Sequence, residues 1–266
     1  MSAQPAAQKY VHGSTDDFEV ARLEKQAEFI CPLTFSRLDL KPGHRVLDLA
    51  TGTGAMATRL LRDFPGVHLA GVDLSPTQLA AARKNHPEVH VARADATRLP
   101  FADHTFDRVH CSWLLEHVRD PLPILREVRR VLRPEGFCVF IEVENDTFSM
   151  SPPSQSVSRV LAMLNAAQRD GGGDPNVGRH VARFFQEAGF PRVQVDRPLL
   201  RGADENAAYR QQFIDEFSEI FEGLDESLGA AHAADIAQAV ADLRSLPARH
   251  GSLQYTPAIV RAWSRA

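Results

Sequence analysis

The chain has 266 residues, a length that suits one large domain with insertions better than two complete domains. Its 44% of hydrophobic residues and 24% of charged residues are typical of globular proteins and exclude the disordered, fibrous and membrane-spanning classes. The net charge of −4, with both signs interspersed, gives no basic face for nucleic acid, so we expect no nucleic-acid partner.

Three widely spaced cysteines, Cys31, Cys111 and Cys138, provide neither a disulfide framework nor a metal-binding motif. The N-terminal residues Met1–Gln8 lack the basic and apolar regions of a secretory signal. We therefore expect a cytoplasmic protein with reduced thiols and no metal centre.

Apolar runs of strand length alternate with amphipathic runs of helix length between Arg45 and Glu142, which predicts a parallel sheet covered on both faces. The predicted strands are Arg45–Leu49, Val67–Asp73, Val89–Ala92, Phe106–Ser112 and Phe137–Val143. The run Ser75–Gln78 predicts an N-cap with a capping box, opening a helix that continues to about Lys84. Asp120-Pro121 opens a second helix, which Gly136 ends. Three arginines near that end complement the helix dipole: Arg129, Arg130 and Arg133.

The flanking segments predict elements that cover the sheet. Tyr10–Arg37 has the apolar spacing of a helix, carried by Leu23, Ala27 and Ile30, and we expect it to pack as a cap. The region after Val143 contains Pro152, Pro153 and Gly171–Gly173, which predict a mobile loop. The remaining predicted elements are a helix at Val177–Ala188, a strand at Val193–Leu199, helices within Asp204–Leu246 and a last strand at Ala258–Trp263.

Within Asp204–Leu246 an apolar stripe is formed by Phe213, Phe217, Ile220 and Leu224, and it either packs on the core or lines a ligand pocket. We predict a single domain with five parts. They are an N-terminal cap (1–40), a ligand-binding core (41–145), a loop, helix and strand on the substrate side (146–202), a helical lid insertion (203–250) and a final strand (251–266).

The segment Val46–Gly54 runs from a strand into a glycine turn and then a helix. Glycines there permit positive φ angles and let a ligand approach the backbone, while the helix N-terminus presents free N–H groups to an anion. Gly52–Ala57 also fits the G-x-G-x-x-A dinucleotide fingerprint, with Asp73 at the offset of a ribose-binding carboxylate. A nicotinamide-dependent oxidoreductase is therefore one interpretation of this motif.

Three features favour S-adenosylmethionine over a dinucleotide. Asp48, four residues before Gly52, would oppose a pyrophosphate but attract the ammonium of a methionine moiety. Asp95 follows the third strand, where its carboxylate would accept a hydrogen bond from an adenine amino group. No tyrosine of the chain is followed by a lysine four residues later, so one common dehydrogenase mechanism lacks its residues.

From Val46 to Glu142 the chain resembles the class I S-adenosylmethionine-dependent methyltransferases, in particular the branch of the ubiquinone and menaquinone C-methyltransferases. The motifs that carry the resemblance are Asp48–Gly54, Gly71–Ser75, Ala94–Ala96, Leu99–Phe101, Phe106-Asp107, Leu115–Val118 and Leu132–Gly136. Ala50 stands where many members have glycine, and we expect it only to reduce the space in the loop. The resemblance implies a doubly wound, mostly parallel, seven-stranded Rossmann-like sheet with helical cap insertions, whose last strand is antiparallel.

For the amino-acid end of the cofactor, the resemblance implies five residues. Gly52 and Gly54 would let it lie against the backbone. Thr51 and Thr53 would offer hydroxyl groups, and Asp48 would hold the ammonium group directly or through water.

For the nucleoside, the resemblance implies that Asp73 accepts both ribose hydroxyls and that Leu74 lies against the adenine. Asp95 would take the adenine amino group, and the Ala96 N–H a ring nitrogen. Ser112 would line the site near the sulfonium. An aspartate or glycine before a helix is often only a cap or a turn, so the joint pattern carries the interpretation.

The acceptor side is predicted less sharply. His117, with Glu116 beside it, is the candidate general base, and its alternative role is to order the loop before Asp120. Trp113 would offer a π face to the sulfonium or else pack in the core. Further candidates to face the pocket are Tyr10 and His12, in a segment that resembles a lid, and the acids Glu142 and Glu144.

The expected reaction is methyl transfer to an O, N or C nucleophile of a small, aromatic or apolar molecule. Besides the oxidoreductase, a protein of this fold that binds S-adenosylmethionine without transferring methyl remains an alternative. The acceptor and the oligomeric state are open, with a homodimer among the options.

Overall fold

Our computed structural model describes residues 17–224 and 230–265. The strands are β1 (Arg45–Leu49), β2 (His68–Asp73), β3 (Val91–Arg93), β4 (Phe106–Ser112), β5 (Leu132–Glu142), β6 (Ser149–Ser151), β7 (Arg192–Asp196), β8 (Leu200–Gly202), β9 (Ser252–Tyr255) and β10 (Ala258–Trp263). The α-helices are α1 (Asp17–Phe35), α2 (Ala55–Asp63), α3 (Pro76–Asn85), α4 (Leu122–Val131), α5 (Gln155–Asp170), α6 (Val181–Glu187), α7 (Ala207–Glu222) and α8 (Ala233–Ser245).

Seven strands form one sheet in the order β3-β2-β1-β4-β5-β10-β7. Strands β1 to β5 pair in parallel, whereas β10 is antiparallel to both β5 and β7. This confirms the predicted seven-stranded sheet with an antiparallel last strand. The order reverses between β1 and β4, so the loop after β1 lies at the switch point, where open α/β sheets bind ligands.

The central strands are apolar along their length because helices cover both faces of the sheet. In β1, Val46, Leu47 and Leu49 are at most 1% exposed. The N-cap predicted for α3 is confirmed, since Ser75 Oγ accepts the N–H of Gln78 at 3.3 Å. The second hydrogen bond of the predicted capping box, from the Ser75 N–H to the Gln78 side chain, is absent, so this part of the prediction is wrong. Gln78 Oε1 is buried and has no hydrogen-bond partner among the described residues.

Several predicted boundaries shift where pairing between strands decides them. Strand β2 begins one residue later than predicted, and β3 covers Val91–Arg93 rather than Val89–Ala92. Helix α4 already ends at Val131, and β5 begins there because Leu132 pairs with Phe106 before a register shift. Arg133 consequently bonds Asp107 at 2.6 Å instead of facing a helix C-terminus.

The mobile loop predicted after Val143 is wrong, because its centre is helix α5. Ser154 Oγ accepts the Val157 N–H at 3.2 Å and caps this helix. The prolines precede the helix and the glycines follow it, so they mark its ends. The glycine run is packed: a Cβ on Gly173 would lie 2.0 Å from the Glu116 carbonyl oxygen, which only glycine permits.

A second layer covers the carboxyl edge of the large sheet, and we call it the cap. It comprises α1, α5, α7, α8 and an antiparallel sheet in the order β6-β9-β8. The strand predicted at Val193–Leu199 is β7, which ends at Asp196 and pairs in the large sheet, and the next strand, β8, pairs in the small sheet. The predicted apolar stripe packs in the interior of the cap, where Phe213 and Leu224 are fully buried.

The helix predicted at Val177–Ala188 is a 3₁₀ turn followed by α6. The five-part division of the chain stays a prediction.

Candidate active site

The loop from Ala50 to Gly54 connects β1 to α2 and turns sharply. Ala50, Gly52 and Gly54 have φ angles of 57°, 54° and 83°, all in the left-handed region. Helix α2 begins immediately afterwards and has no side-chain cap. Its first N–H groups and the positive end of its dipole therefore suit a carboxylate at this turn.

We expected Ala50, which replaces a glycine of the family pattern, only to reduce the space in the loop. This expectation is corrected, because Ala50 also affects the backbone conformation. At φ 57° its Cβ crowds the backbone, a cost of about 1 kcal/mol that glycine avoids. The glycine of many methyltransferases at this position thus has a conformational reason.

Asp48 lies beneath this loop and is only 2% exposed. Its Oδ2 accepts the hydroxyl of Thr51 at 2.6 Å, and its Oδ1 lies 2.8 Å from His110 Nδ1. Both oxygens therefore already have partners within the protein. Its negative charge stabilises a cation above the loop more readily through space or through water than by direct contact.

Asp73 ends β2 and ties two backbone segments together. Its Oδ2 accepts the N–H of Gly52 at 3.0 Å, and its Oδ1 accepts the N–H of Ser75 at 2.8 Å. Burial raises the pKa of Asp73. Each oxygen keeps a further lone pair, which is what a vicinal diol requires. The adjacent Leu74 is 55% exposed, an apolar surface beside the carboxylate.

Asp95 lies near Asp73 because the Ala94 N–H donates to the Asp73 carbonyl at 3.0 Å. Its Oδ1 accepts both the N–H and the hydroxyl of Thr97, each at 2.8 Å. Ala96 follows on the same turn, half-buried against the core. These residues and Leu74 thus stand at neighbouring strand ends, as the sequence predicts.

Two buried polar atoms near the glycine turn have no partner in the described part of the chain: Thr53 Oγ1 and Gln78 Oε1. A Cβ on Gly52 would lie 3.8 Å from that Gln78 oxygen. A buried polar group without a partner costs about 1–3 kcal/mol, so both atoms suit a ligand with polar groups. Together with the free N–H groups of α2, they fit the amino-acid end of S-adenosylmethionine.

Ser112 ends β4 and Trp113 follows it, at the boundary between the loop and the cap. Ser112 Oγ lies 3.4 Å from His110 Nε2. Trp113 has a φ of 56°, a strained conformation for a bulky residue, and its buried indole N–H has no partner among the described residues. Its ring packs against all three apolar clusters of the protein, so the residue joins sheet and cap.

An acidic pair lies behind Trp113. Glu142, at the end of β5, accepts the backbone N–H groups of Leu114 and Leu115, at 3.3 and 2.9 Å. Glu116 accepts a hydrogen bond from the amide of Gln168, in α5. Burial raises the pKa of each of these two glutamates to about 8.

His117 is next to this pair. Its Nε2 lies 3.7 Å from a carboxylate oxygen of Glu116, and burial lowers the pKa of His117 to about 4. The ring is therefore neutral near pH 7 and free of the charge that burial disfavours.

Two contributors were missed from the sequence, and two candidates lie elsewhere. His110 is fully buried in β4, and the register that pairs it with Asp48 was the only signal for it. Gln78 was assigned to a capping box instead of the glycine turn. The lid candidates Tyr10 and His12 lie outside the described residues.

Residues 47–140 match the family described as "Methyltransferase domain". This region of the chain is therefore similar to methyltransferase domains. A demethylmenaquinone methyltransferase of Beutenbergia cavernae is 41% identical over 109 residues, which cover 41% of this chain and 45% of that protein. An uncharacterised 37.1 kDa protein in transposon TN4556 of Streptomyces fradiae is 35% identical over 174 residues, which cover 62% of this chain and 49% of that protein.

The chain spans about half the length of the curated relatives that it matches. Among solved structures, phosphoethanolamine N-methyltransferase 2 of Haemonchus contortus in complex with S-adenosyl-L-methionine has a TM-score of 0.58 at 18% identity. The alignment covers 99% of the present chain and 62% of the chain of that enzyme. This similarity shows a shared fold.

No helix among the described residues is long and apolar enough to cross a membrane. The same residues contain no group of three or more histidine, cysteine or acidic side chains placed to hold a metal ion.

Proposed function

We propose that this protein is a methyltransferase, which transfers a methyl group from S-adenosylmethionine to a nucleophile of a small, apolar or aromatic molecule. The observation that carries the proposal is Asp73 at the end of β2, beside the loop at the switch point. Its carboxylate accepts the N–H groups of Gly52 and Ser75 and still has lone pairs for two hydroxyl groups. When bound, the cofactor supplies a methyl group already activated by its sulfonium.

The residues assigned to the cofactor divide between its two ends. Asp73 binds the ribose hydroxyls, and Leu74 packs on the adenine. Asp95 accepts a hydrogen bond from the adenine amino group, and the Ala96 N–H donates one to a ring nitrogen. At the other end, the amino-acid part meets the N-terminus of α2 and the residues of the glycine turn: Thr51, Gly52, Thr53 and Gly54. Asp48 acts on the ammonium through its charge beneath the loop.

On the acceptor side, we assign orientation and water exclusion to the cap, because alignment supplies much of the rate of such a displacement. An aromatic group lies at its centre, where Phe29 of α1 stacks on Tyr209 and Phe213 of α7 at centroid distances of 5.3 and 5.5 Å. The aromatic interior of the cap supports an aromatic or apolar acceptor. Ser112 and Trp113 stand between the cap and the cofactor loop, and we assign them to the methyl end.

We assign proton acceptance to His117. Its imidazole is neutral near pH 7 and can therefore accept a proton, and Glu116 lies 3.7 Å away. A base with a pKa of about 4 is weak, so it assists only an acceptor that loses its proton during transfer. His117→Asn should then reduce kcat by about tenfold to a hundredfold for a phenol or an enol, and leave an aprotic nucleophile unaffected.

Binding and turnover together test the proposal. We expect calorimetry to detect S-adenosylmethionine and S-adenosylhomocysteine but not NAD, and methyl-labelled cofactor to label an acceptor in a panel of quinols, phenols and amines. Binding of NAD alone would support the oxidoreductase. Cofactor binding without transfer to any acceptor would support the non-methylating alternative.

We further propose a cytoplasmic location, supported by three buried free thiols, Cys31, Cys111 and Cys138. The absence of nucleic-acid partners and the homodimer stay predictions, to be checked by size-exclusion chromatography and by binding measurements with DNA.

A further inference from the structure

A buried chain of hydrogen-bonding groups crosses the sheet beneath the glycine turn. It begins at Thr34 of α1, whose Oγ lies 3.3 Å from His110 Nε2. His110 Nδ1 lies 2.8 Å from Asp48 Oδ1, and Asp48 Oδ2 accepts the Thr51 hydroxyl at 2.6 Å. All four side chains are at most 7% exposed, so water cannot replace any of these bonds.

The chemistry of the carboxylate fixes the direction of the bonds to Asp48. A carboxylate only accepts hydrogen bonds, so His110 Nδ1 is the donor to Asp48. In the neutral imidazole, Nε2 is then an acceptor, and the hydroxyl of Thr34 donates to it. The Ser112 hydroxyl, 3.4 Å from the same nitrogen, is a second donor at the methyl end of the site.

The two ends of this chain belong to different parts of the protein. Thr51 is in the cofactor loop, whereas Thr34 is in α1, the cap helix that also carries Phe29. The imidazole is the only group of the four that contacts both the cap and Asp48. Its ring is also held from the side, since Phe35 of α1 meets it edge-on at 5.9 Å.

We propose that His110 is a positioning residue that orients Asp48 under the cofactor loop and couples this loop to the placement of helix α1. The proposal rests on the proposed function in one respect, namely that the loop receives S-adenosylmethionine. The bound cofactor would interact with Thr51 and Asp48. Its binding would thereby favour the placement of α1 that closes the acceptor site.

Two substitutions separate the two ends of the imidazole. In His110→Asn the amide nitrogen takes the place of Nδ1, so the donor to Asp48 stays while the bond to Thr34 is lost. In His110→Gln the amide nitrogen takes the place of Nε2, so Asp48 loses its donor. Thr34→Val removes the hydroxyl alone. The same changes at His104, whose exposed ring bonds the Leu132 carbonyl at the opposite edge of the sheet, are the matched controls.

Calorimetry with S-adenosylhomocysteine and hydrogen exchange of the α1 amides are the readouts. We expect His110→Gln to weaken binding by about tenfold and His110→Asn by less than about threefold. The ligand should protect α1 in the wild type and lose this effect in His110→Asn and Thr34→Val. Unchanged binding in His110→Gln, or unchanged protection in the other two variants, would overturn the proposal.

A measurement without ligand keeps this proposal separate from the proposed function. We expect the effects of Thr34→Val and Thr51→Val on the urea midpoint of unfolding to be non-additive in the wild type and additive in His110→Asn. If the wild type binds no S-adenosylhomocysteine, the proposed function fails, and this cycle still decides the coupling. Additive effects in the wild type would refute the coupling whatever the protein binds.

Discussion

The cofactor loops and the cap differ in the kinds of groups that build them and in how far apart these groups lie in the sequence. At the carboxyl edge of β1 and β2 the site is made of backbone N–H groups and short side chains, as at Gly52 and Asp73, which are 21 positions apart in sequence. In the cap, long and aromatic side chains from distant parts of the sequence contact each other. Gln26, for example, forms a hydrogen bond of 2.6 Å with Glu216, which is 190 positions away. In the proposed function, a cofactor common to many enzymes would be held by local geometry, whereas the acceptor would meet a surface assembled from distant segments.

The sharpest test of this contrast is Asp73→Ala. We expect S-adenosylmethionine affinity to fall by more than tenfold, because two ribose hydroxyls lose their acceptor and the Gly52 and Ser75 N–H groups lose theirs. Calorimetry measures the affinity, and Asp170→Ala, at an exposed position where α5 ends, is the control. Unchanged affinity in a folded Asp73→Ala protein would refute the role of this carboxylate.

Deletion of Met1–Gly13 tests the cap from the other direction. If Tyr10 and His12 belong to a lid, methyl transfer should fall by about tenfold while cofactor affinity changes little, since the cofactor loops stay intact. Both quantities are measured on the truncated protein. Equal loss of both would assign the segment to the cofactor site, and full activity would deny it any role.

The acidic pair at the boundary predicts a pH-dependent stability. The folded-state pKa of Glu116, about 8, lies above its ordinary value of 4.5, so its stabilising effect is complete below that value and is lost as the pH rises to about 8. Glu116→Gln has no carboxyl group to ionise at this position, so it does not lose this stability as the pH rises. Between about pH 5 and pH 8, the difference in free energy of unfolding between the variant and the wild type should therefore increase by a few kcal/mol in favour of the variant.

Urea unfolding across that range checks this expectation. Gln168→Met is the matched control, because it removes the amide partner but leaves the carboxyl group of Glu116 in place. The control should keep the pH slope of the wild type. A parallel pH profile for Glu116→Gln would show that Glu116 titrates alike in the folded and unfolded states.

The smallest expected effect is at the loop itself. Ala50→Gly relieves a left-handed alanine but adds freedom to the unfolded chain, so the net gain should be about 0.5 kcal/mol. Thermal unfolding measures it, with Ala102→Gly in an exposed loop as the comparison. A loss of stability would mean that the Ala50 methyl group has packing contacts that outweigh its strain.

The sequence predicted those parts whose cause is local. Strands β1 and β4 agree to the residue, because each is an apolar run bounded by charged or turn residues, and the Ser75 cap follows from side-chain chemistry. The cofactor candidates also converge, since parallel strands bring their carboxyl ends to one edge.

The misses have long-range causes. The prolines and glycines around α5 read as a loop because nothing local shows that the helix between them packs on α8. The start of β5 depends on pairing between Leu132 and Phe106, and the role of His110 depends on its neighbour in another strand. A pattern along the chain carries no information on such pairings until the register is known.

The position of β10 has a consequence for synthesis of the protein. This strand is the last element described, yet it lies between β5 and β7 in the sheet. A nascent chain emerging from the ribosome therefore exposes the apolar edge of β5, with Phe140 and Ile141, until residues 258–263 arrive. Stalled or truncated chains that end before Ala258 should aggregate or bind chaperones, however complete their cofactor loops are.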